Sequence, residues 1–228
     1  MKALILAAGM GSRLGRPYPK PLTPLSNKKT IMQHQIENLS RYLSPHDITV
    51  VVGYKKELIM EAFPDLLFVY NNDYDTTNTS KSLKRGLAKL QKDDVLWLNG
   101  DVVFDQRIIG LLCEHPSSTM AVNTASVGDE EVKYKVNKEG WIVEVSKSVL
   151  GGLGEAVGIN LVRSKDIPLL LKRLEDCADS DYFERAIELA IGDGVKFYPI
   201  DVRALPCTEV DFAGDLDRAN QQLGSMSA

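Results

Sequence analysis

The segment LAAGMGSRLGRPYPKPL, Leu6–Leu22, decides how the rest of the chain is interpreted. A continuous apolar run over Ala3–Ala8 leads into it, and such a run is typical of a parallel strand buried on both faces. The segment then combines three glycines with the cations Arg13, Arg16 and Lys20. A flexible, cationic loop directly after a buried strand predicts a binding site for a polyanion.

The composition is that of an ordinary globular protein. The chain has 228 residues, 44% hydrophobic and 25% charged, which is enough for one large domain. A formal net charge of −4 argues against a broad nucleic-acid surface. No apolar stretch approaches the roughly 18 residues of a membrane span, and the three cysteines lack metal-binding spacing. We therefore expect a cytoplasmic monomer or homodimer without nucleic-acid or membrane partners.

Apolar periodicity predicts alternating strands and helices through the first half of the chain. The predicted strands are Ala3–Ala8, Ile48–Gly53, Leu67–Tyr70 and Asp94–Leu98, and the predicted helices are Thr30–Tyr42, Lys55–Phe63 and Ser80–Gln91. This alternation is typical of βαβ units in a doubly wound sheet. Such sheets bind ligands beyond the carboxyl ends of their strands. Gly9–Lys20 and Asn99–Asp101, which each follow a strand, are therefore expected to share one crevice.

From about residue 119 the pattern changes to closely spaced strands and turns. The predicted strands are Met120–Thr124, Lys133–Asn137, Trp141–Ser146, Ala156–Val162 and Lys196–Ile200, and the predicted helices are Ile167–Asp176, Tyr182–Ala190 and Asp215–Leu223. We predict one α/β domain over residues 1–223 and a flexible tail over 224–228. Its fold is a Rossmann-like, mixed, mostly parallel sheet flanked by helices, with a small β-rich lid over the crevice.

The glycines and cations of the first loop suit an anion. Gly9 and Gly11 let backbone N–H groups approach a phosphate closely. Arg13 can donate a pair of hydrogen bonds to phosphate oxygens, and Lys20 adds a point charge. The spacing matches neither GxxxxGK[ST] nor GxGxxG, so the loop is not one of these two phosphate binders.

Asp101 directly follows a buried strand, where a carboxylate can hold a hard cation or simply bond its own turn. In the stretch Glu209-Val210-Asp211, a strand with Val210 inward would put Glu209 and Asp211 on one face. One of these two could complete a Mg²⁺ site with Asp101. Two carboxylates suffice, because Mg²⁺ usually keeps waters and takes substrate phosphates as its other ligands.

No nucleophile paired with a base is evident, and His34, His46 and His115 are expected to lie away from the crevice. A reaction whose attacking group is a phosphate dianion needs no general base at pH 7, because the second phosphate pKa is about 6. Such a reaction needs positioning, cations and Mg²⁺. The sequence offers these.

Leu6–Leu14 and Pro19–Leu22 resemble the signature L-A-A-G-x-G-[ST]-R-L and P-K-P/A-L of the nucleotidyltransferase superfamily. These enzymes join a nucleoside triphosphate to a phosphorylated acceptor and release pyrophosphate. The resemblance implies catalytic roles for Arg13, Lys20 and Asp101, with Mg²⁺ held by Asp101 and Asp211. Glu209 is a further candidate ligand. The residues it implies for the nucleotide are Leu6, Ala7, Ala8, Gly9, Gly11, Ser12, Arg13, Lys20 and Gly100.

Two features resemble one branch of that superfamily. Only six residues separate Arg13 from Lys20, fewer than in most sugar-nucleotide enzymes of the superfamily. The stretch DTTNTSKSL, Asp75–Leu83, is similar to the nucleotide-recognition segment of phosphocholine cytidylyltransferases. The branch implies CTP as substrate, with Asn78 and Ser82 on the cytosine and ribose. A helix N-cap is the alternative interpretation of this stretch.

For the acceptor, the resemblance implies Lys147 beside its phosphate and Glu155 at its head group. Asp181, Tyr182 and Trp141 are further candidates, because a carboxylate and aromatic faces suit an amine. The alternative is that Trp141 and Tyr182 are core aromatics.

We therefore expect a Mg²⁺-dependent cytidylyltransferase that uses CTP and a small phosphorylated or phosphonate alcohol or amine, such as phosphocholine. Residues 1–118 would bind the nucleotide and residues 119–223 the acceptor. The alternatives are a sugar-1-phosphate nucleotidyltransferase using UTP or dTTP, and a catalytically silent regulatory subunit that binds nucleotide.

Overall fold

The computed structural model describes residues 1–125 and 131–226, apart from the side chain of Ser12. The strands are β1 (Lys2–Ala7), β2 (Ile48–Val52), β3 (Leu67–Tyr70), β4 (Val95–Asn99), β5 (Val102–Phe104), β6 (Ser118–Asn123), β7 (Lys133–Val136), β8 (Ile142–Ser146), β9 (Gly154–Val162), β10 (Phe197–Asp201) and β11 (Cys207–Glu209). The helices are α1 (Ile31–Leu39), α2 (Lys56–Ala62), α3 (Thr79–Leu87), α4 (Arg107–Glu114), α5 (Ile167–Asp176), α6 (Phe183–Gly192) and α7 (Ala213–Met226).

The main sheet follows the order β10-β6-β9-β4-β1-β2-β3, and the hairpin β7–β8 is attached beside β9. Strands β4, β1, β2 and β3 run parallel, as do β10 and β6. Strand β9 is antiparallel to both of its neighbours. The predicted Rossmann-like, mixed, mostly parallel sheet is confirmed.

Strand β1 lies in the interior of the sheet, between β4 and β2, and its side chains pack into a core on both faces. Leu4 and Leu6 pack into the cluster that includes residues of α3, α5 and α6. Ala3 and Ile5 pack into the cluster on the opposite face, with residues of α1 and α4. Each fully buried large aliphatic side chain contributes about 1.5–3 kcal/mol. This two-sided burial explains why the strand is a continuous apolar run.

A second, two-stranded sheet joins the end of the chain to the centre of the fold. Strand β11 pairs antiparallel with β5, with Glu209 opposite Val102. Beyond this pairing, the Val210 N–H donates to the Asp101 carbonyl at 3.0 Å. Strands β5 and β11 and helix α4 are absent from the sequence-based prediction. The two strands have three residues each, too few for a clear period.

Helix α7 runs to Met226, so three residues of the predicted tail are helical and the last two lie outside the described residues. A search of the described helices found none with the length and apolar character needed to cross a bilayer.

Candidate active site

A cleft of about 520 Å³ opens at the carboxyl ends of β1 and β4. Leu6 and Ala7 reach it from the end of β1, and Gly9 and Gly11 reach it from the loop that follows. The turn after β4 contributes through residues 99–101. The two polar segments that were expected to share a crevice therefore lie together.

A buried lysine joins two carboxylates in the middle of this cleft. The Lys20 ammonium donates to Asp101 Oδ2 at 2.7 Å and to Asp211 Oδ1 at 2.6 Å. Arg13 Nη1 donates to Asp211 Oδ2 at 3.1 Å. Burial acts to lower the Lys20 pKa, but the two carboxylates outweigh it and hold that pKa above its usual value. Lys20 is therefore a permanent positive charge at the base of the cleft.

Gly11 allows the loop to bring this lysine into place. Its φ of +60° favours glycine, and a Cβ there would lie 2.9 Å from the Lys20 Cβ. The close contact of loop and lysine therefore requires the glycine that the sequence provides.

The buried side chain of Gln35 fixes the turn that carries Asp101. Gln35 Nε2 donates to the carbonyl oxygens of Asn99 at 2.9 Å and Val102 at 2.8 Å, one on each side of the aspartate. The Gly100 N–H donates to the Leu6 carbonyl at 2.8 Å. The turn is thereby held to α1 and to β1 at once.

Helix α7 fixes the other carboxylate. Asp215 Oδ2 accepts from the N–H groups of Asp211 at 3.1 Å and Phe212 at 2.8 Å. The chain therefore bends into the helix directly after Asp211. Burial acts to raise the Asp211 pKa, but Lys20 and Arg13 outweigh it and lower that pKa below its usual value, so Asp211 is ionised at neutral pH.

Glu209 lies beside Asp101 and Asp211, but its pKa is shifted in the opposite direction from that of Asp211. Burial, followed by the charges of Asp101 and Asp211, raises the Glu209 pKa well above its usual value. Asn99 Nδ2 donates to Glu209 Oε1 at 3.5 Å. Gly158, with a φ of +72°, leaves room for this amide, because a Cβ there would lie 2.7 Å from Asn99 Nδ2.

The donor set suits a hard divalent cation. Asp101 Oδ1 is buried and has no hydrogen-bond partner among the described residues, and the neighbouring oxygens already bind the Lys20 ammonium. No cluster of three or more metal-ligating side chains occurs in the described part of the chain. A site of two carboxylates fits Mg²⁺, which takes its other ligands from water and substrate oxygens.

Another part of the cleft lining includes Lys147, Tyr182 and Glu184. The Lys147 ammonium stands over the Tyr182 ring, 5.0 Å from its centroid. Glu184 is 8% exposed, and its Oε2 has no partner among the described residues. Burial raises the pKa of Glu184 to about 7. These three side chains therefore combine an aromatic face, a cation and a carboxyl group.

The structure brings most of the sequence-predicted site residues together. Those that line the cleft are Leu6, Ala7, Gly9, Gly11, Arg13, Lys20, Gly100, Asp101, Lys147, Tyr182, Glu209 and Asp211. Those that are not among its described lining residues are Ala8, Asn78, Ser82, Trp141, Glu155 and Asp181. The side chain of Ser12 lies outside the described part of the structure.

The two residues expected at the cytosine bond elsewhere. Asn78 caps α3 by accepting from the Thr79 N–H at 2.8 Å, and it donates to the Ser180 carbonyl at 3.2 Å. Ser82 is buried and accepts from Asn71 Nδ2 at 3.1 Å. The capping interpretation of this stretch therefore describes the Asn78 contacts.

Three of the residues expected at the acceptor or the base are also engaged elsewhere. Trp141 packs edge-on against His115 and Tyr198, with ring centroids 5.8 and 5.5 Å away. Asp181 Oδ2 accepts from the Ala178 N–H at 2.8 Å. The Ala8 carbonyl accepts from the Tyr54 N–H at 3.0 Å.

Glu155 lies on β9 opposite Lys133 and accepts from Asn123 Nδ2 at 3.4 Å. These two neighbours belong to β7 and β6, the strands beside β9.

The sequence analysis did not name Thr79, Glu184 and Phe212 as site residues, although they also line the cleft. Glu184 carried a signal, because it lies three positions before Ile187 on the apolar stripe of α6. An acidic residue beside such a stripe is buried only if something in the fold compensates its charge.

A family model described as the MobA-like NTP transferase domain matches residues 3–176. With the fold and the cleft, this match defines the class of protein as a nucleotidyltransferase, as predicted. The chain belongs to the MobA-like NTP transferase family.

The matches to individual curated relatives cover only part of each relative. The CMP-5'-(3-aminopropyl)phosphonate synthase of Streptomyces rubellomurinus is 34% identical over 128 residues, which cover 52% of this chain and 20% of that protein. The curated relatives are longer proteins, of which the matched parts span between 20% and 50%.

Two solved structures share the fold over nearly their whole length. The CTP:phosphocholine cytidylyltransferase of Streptococcus pneumoniae has a TM-score of 0.75 at 20% identity, covering 97% of this chain and 98% of that chain. A UDP-glucose pyrophosphorylase complexed with UDP-glucose has a TM-score of 0.75 at 13% identity, covering 98% of each. At such identities the likeness shows the fold alone.

Proposed function

We propose that the protein is a Mg²⁺-dependent cytidylyltransferase. It transfers CMP from CTP to a small phosphorylated or phosphonate acceptor and releases pyrophosphate. The observation that carries the proposal is the convergence of Arg13, Lys20, Asp101 and Asp211 on one cleft at the ends of parallel strands. Cations beside carboxylates suit a triphosphate and its counter-ion.

The reaction needs no base from the protein. An oxygen of the acceptor's phosphate attacks the α-phosphorus of CTP, and the bond from that phosphorus to the bridging oxygen breaks in line. The electron pair leaves with pyrophosphate, whose charge Arg13 and Lys20 stabilise. Neither histidine nor cysteine occurs among the described residues that line the cleft. This composition agrees with an attacking group that is already ionised.

Asp101 and Asp211 would hold Mg²⁺, and Asp101 Oδ1 is available to it because no other described residue bonds that atom. When bound, Mg²⁺ neutralises phosphate charge and orients the phosphate oxygens. Lys20 remains charged beside both carboxylates and is placed to bind phosphate oxygens once a nucleotide enters.

The preference for CTP rests on similarity and on the short loop. The Streptomyces rubellomurinus relative is named for a CMP-phosphonate product, and the Streptococcus pneumoniae structure is named as a CTP-dependent enzyme. Six residues between Arg13 and Lys20 leave a tight loop, which Gly11 closes against Lys20.

The alternative is a sugar-1-phosphate nucleotidyltransferase, which the UDP-glucose pyrophosphorylase structure favours because its fold matches equally well. A cationic head group is favoured by the buried carboxyl group of Glu184 and the aromatic face of Tyr182, both of which line the cleft.

The test is pyrophosphate release with Mg²⁺, measured for CTP, UTP, dTTP, ATP and GTP against phosphocholine, phosphoethanolamine, 2-aminoethylphosphonate, inositol phosphate, glycerol phosphate and glucose-1-phosphate. Turnover confined to CTP and a non-sugar acceptor is expected. Turnover with UTP or dTTP and glucose-1-phosphate would establish the sugar alternative. No release in any combination would favour a silent nucleotide-binding subunit.

A further inference from the structure

One carboxyl oxygen of Glu184 forms no hydrogen bond with any described residue. Its side chain lines the cleft and is 8% exposed, and Oε2 has no hydrogen-bond partner among them. A buried carboxyl group without a partner is costly, so such groups usually face a ligand, a water or a cation. The first turn of α6 thus directs an unpaired acid into the substrate cleft.

The groups around Glu184 already bind an ammonium. The Lys147 Nζ stands 5.0 Å from the centroid of the Tyr182 ring, and both residues line the same part of the cleft. Lys147 is the positive charge that acts on Glu184. A ring face that holds a lysine ammonium can hold the ammonium of a ligand in the same way.

An acceptor that carries a phosphate changes the partners available here. Its dianion offers Lys147 a stronger partner than an aromatic ring, because a charge-assisted hydrogen bond is about twice as strong as a neutral one. When Lys147 binds the phosphate, the face of Tyr182 and the carboxyl of Glu184 are both left for the other end of the acceptor. A cationic nitrogen satisfies both groups, whereas a methyl group satisfies neither.

We propose that Glu184 determines acceptor specificity by binding a cationic nitrogen of the head group, with the Tyr182 ring beside it. The proposal rests on the proposed function and narrows its acceptor to a phosphate or phosphonate that carries an ammonium group.

The charge state of the empty site agrees with this role. Burial raises the Glu184 pKa to about 7, and Lys147 acts in the opposite direction. The carboxyl therefore binds a proton in the empty cleft over much of the range below neutral pH. An incoming ammonium replaces that proton as the compensating charge.

Matched acceptor pairs isolate the charge from size and shape. 2-Aminoethylphosphonate is paired with propylphosphonate, and phosphocholine is paired with 3,3-dimethylbutyl phosphate. Each pair differs only in a cationic nitrogen replaced by carbon. The measurement is kcat/KM for pyrophosphate release with CTP and Mg²⁺, in the wild type and in Glu184→Gln.

The wild type is expected to prefer the cationic member of at least one pair by about 10-fold to 100-fold, the usual worth of a hydrogen bond to a charged group. Glu184→Gln is expected to lose that preference, and the loss is expected to fall on the kcat/KM of the cationic member. The control is Glu188→Gln on the same helix, whose carboxylate pairs with Arg185 outside the cleft lining. This variant is expected to keep the preference.

Three outcomes would overturn the proposal. They are equal kcat/KM for both members of each pair in the wild type, an unchanged preference in Glu184→Gln, and turnover only with acceptors that lack a cation. If no nucleotide and acceptor give pyrophosphate, the proposed function fails instead. Calorimetric measurement of 2-aminoethylphosphonate and propylphosphonate binding then tests the role of Glu184 without turnover. Equal affinity of the wild type and Glu184→Gln for 2-aminoethylphosphonate would refute the proposal.

Discussion

One carboxylate oxygen of Asp101 accepts from Lys20, and the other has no described partner. We therefore expect the negative charge of Asp101 to be what the reaction requires of this residue. We expect Asp101→Asn to lower kcat by about 100-fold or more, the range seen when one electrostatic contact in a reaction centre is removed. Steady-state pyrophosphate release measures this, with Asp217→Asn on the exposed face of α7 as the control. Activity within a factor of two of the wild type in Asp101→Asn would refute the assignment.

Gln35 lies outside the cleft, but its two hydrogen bonds set the position of Asp101. Gln35→Met removes both donors, and a displaced carboxylate is expected to lower kcat by about 10-fold to 100-fold. The KM for CTP should change little, while the Mg²⁺ concentration needed for half-maximal rate rises. Gln33→Met, on the exposed side of α1, is the control. A variant whose KM alone changes would contradict this positioning role.

Glu184 also makes the stability of the protein depend on pH. Its folded-state pKa is raised to about 7 from an ordinary 4.5, so the stability it contributes is complete below pH 4.5 and is lost as pH rises through 7. The titratable groups that interact electrostatically with it are Lys147 and Glu209.

Glu184→Gln stays neutral, so its unfolding free energy relative to the wild type should rise by on the order of 3 kcal/mol between pH 4.5 and pH 8. Urea unfolding at both pH values measures the difference. A constant difference would show that Glu184 does not titrate in this range.

At the scale of the elements, helix α3 begins within the stretch Asp75–Leu83, which was interpreted either as a nucleotide-recognition segment or as a helix N-cap. Asn78 caps this helix, so Asn78→Ala should lower the unfolding free energy by about 1 kcal/mol and leave the ratio of kcat/KM for CTP and UTP unchanged. The exposed Asn72→Ala is the control. A selective loss of CTP turnover in Asn78→Ala would instead support the interpretation that Asn78 recognises the cytosine base.

The elements also show what local sequence can predict. Leu67–Tyr70 and Ile167–Asp176 were predicted with their observed bounds, because each has a clear apolar pattern and flanking breakers. Strands β5 and β11 each depend on a partner about a hundred residues away, and three residues contain no period. The first loop was predictable because its glycines and cations are contiguous. The neighbourhood of Glu184 was not, because it is assembled from α6 and the cleft wall.

At the scale of the whole molecule, ligand binding and folding are linked. In the proposed function, CTP and Mg²⁺ would together contact the first loop, the turn after β4 and the end of β11, so their binding should stabilise the folded chain as one unit. At a concentration of CTP 100 times its Kd, the gain is about 2.7 kcal/mol, which raises the Tm by roughly 5–10 °C in a domain of this size. Thermal scans with and without ligand measure the shift. Asp211→Asn should lose most of it, and a full shift in that variant would contradict its place in the site.

The pairing of β11 with β5 has a consequence for the order in which the protein becomes competent during synthesis. Asp101 leaves the ribosome directly after β1–β4, four of the nine described strands of the main sheet, whereas Asp211 follows 110 residues later. At about 5–20 residues per second, that interval lasts roughly 5–20 s. A nascent chain can therefore carry a folded first loop and a complete β1 while Lys20 still has only one of its two carboxylate partners. Nucleotide chemistry has to wait for the segment that supplies the second.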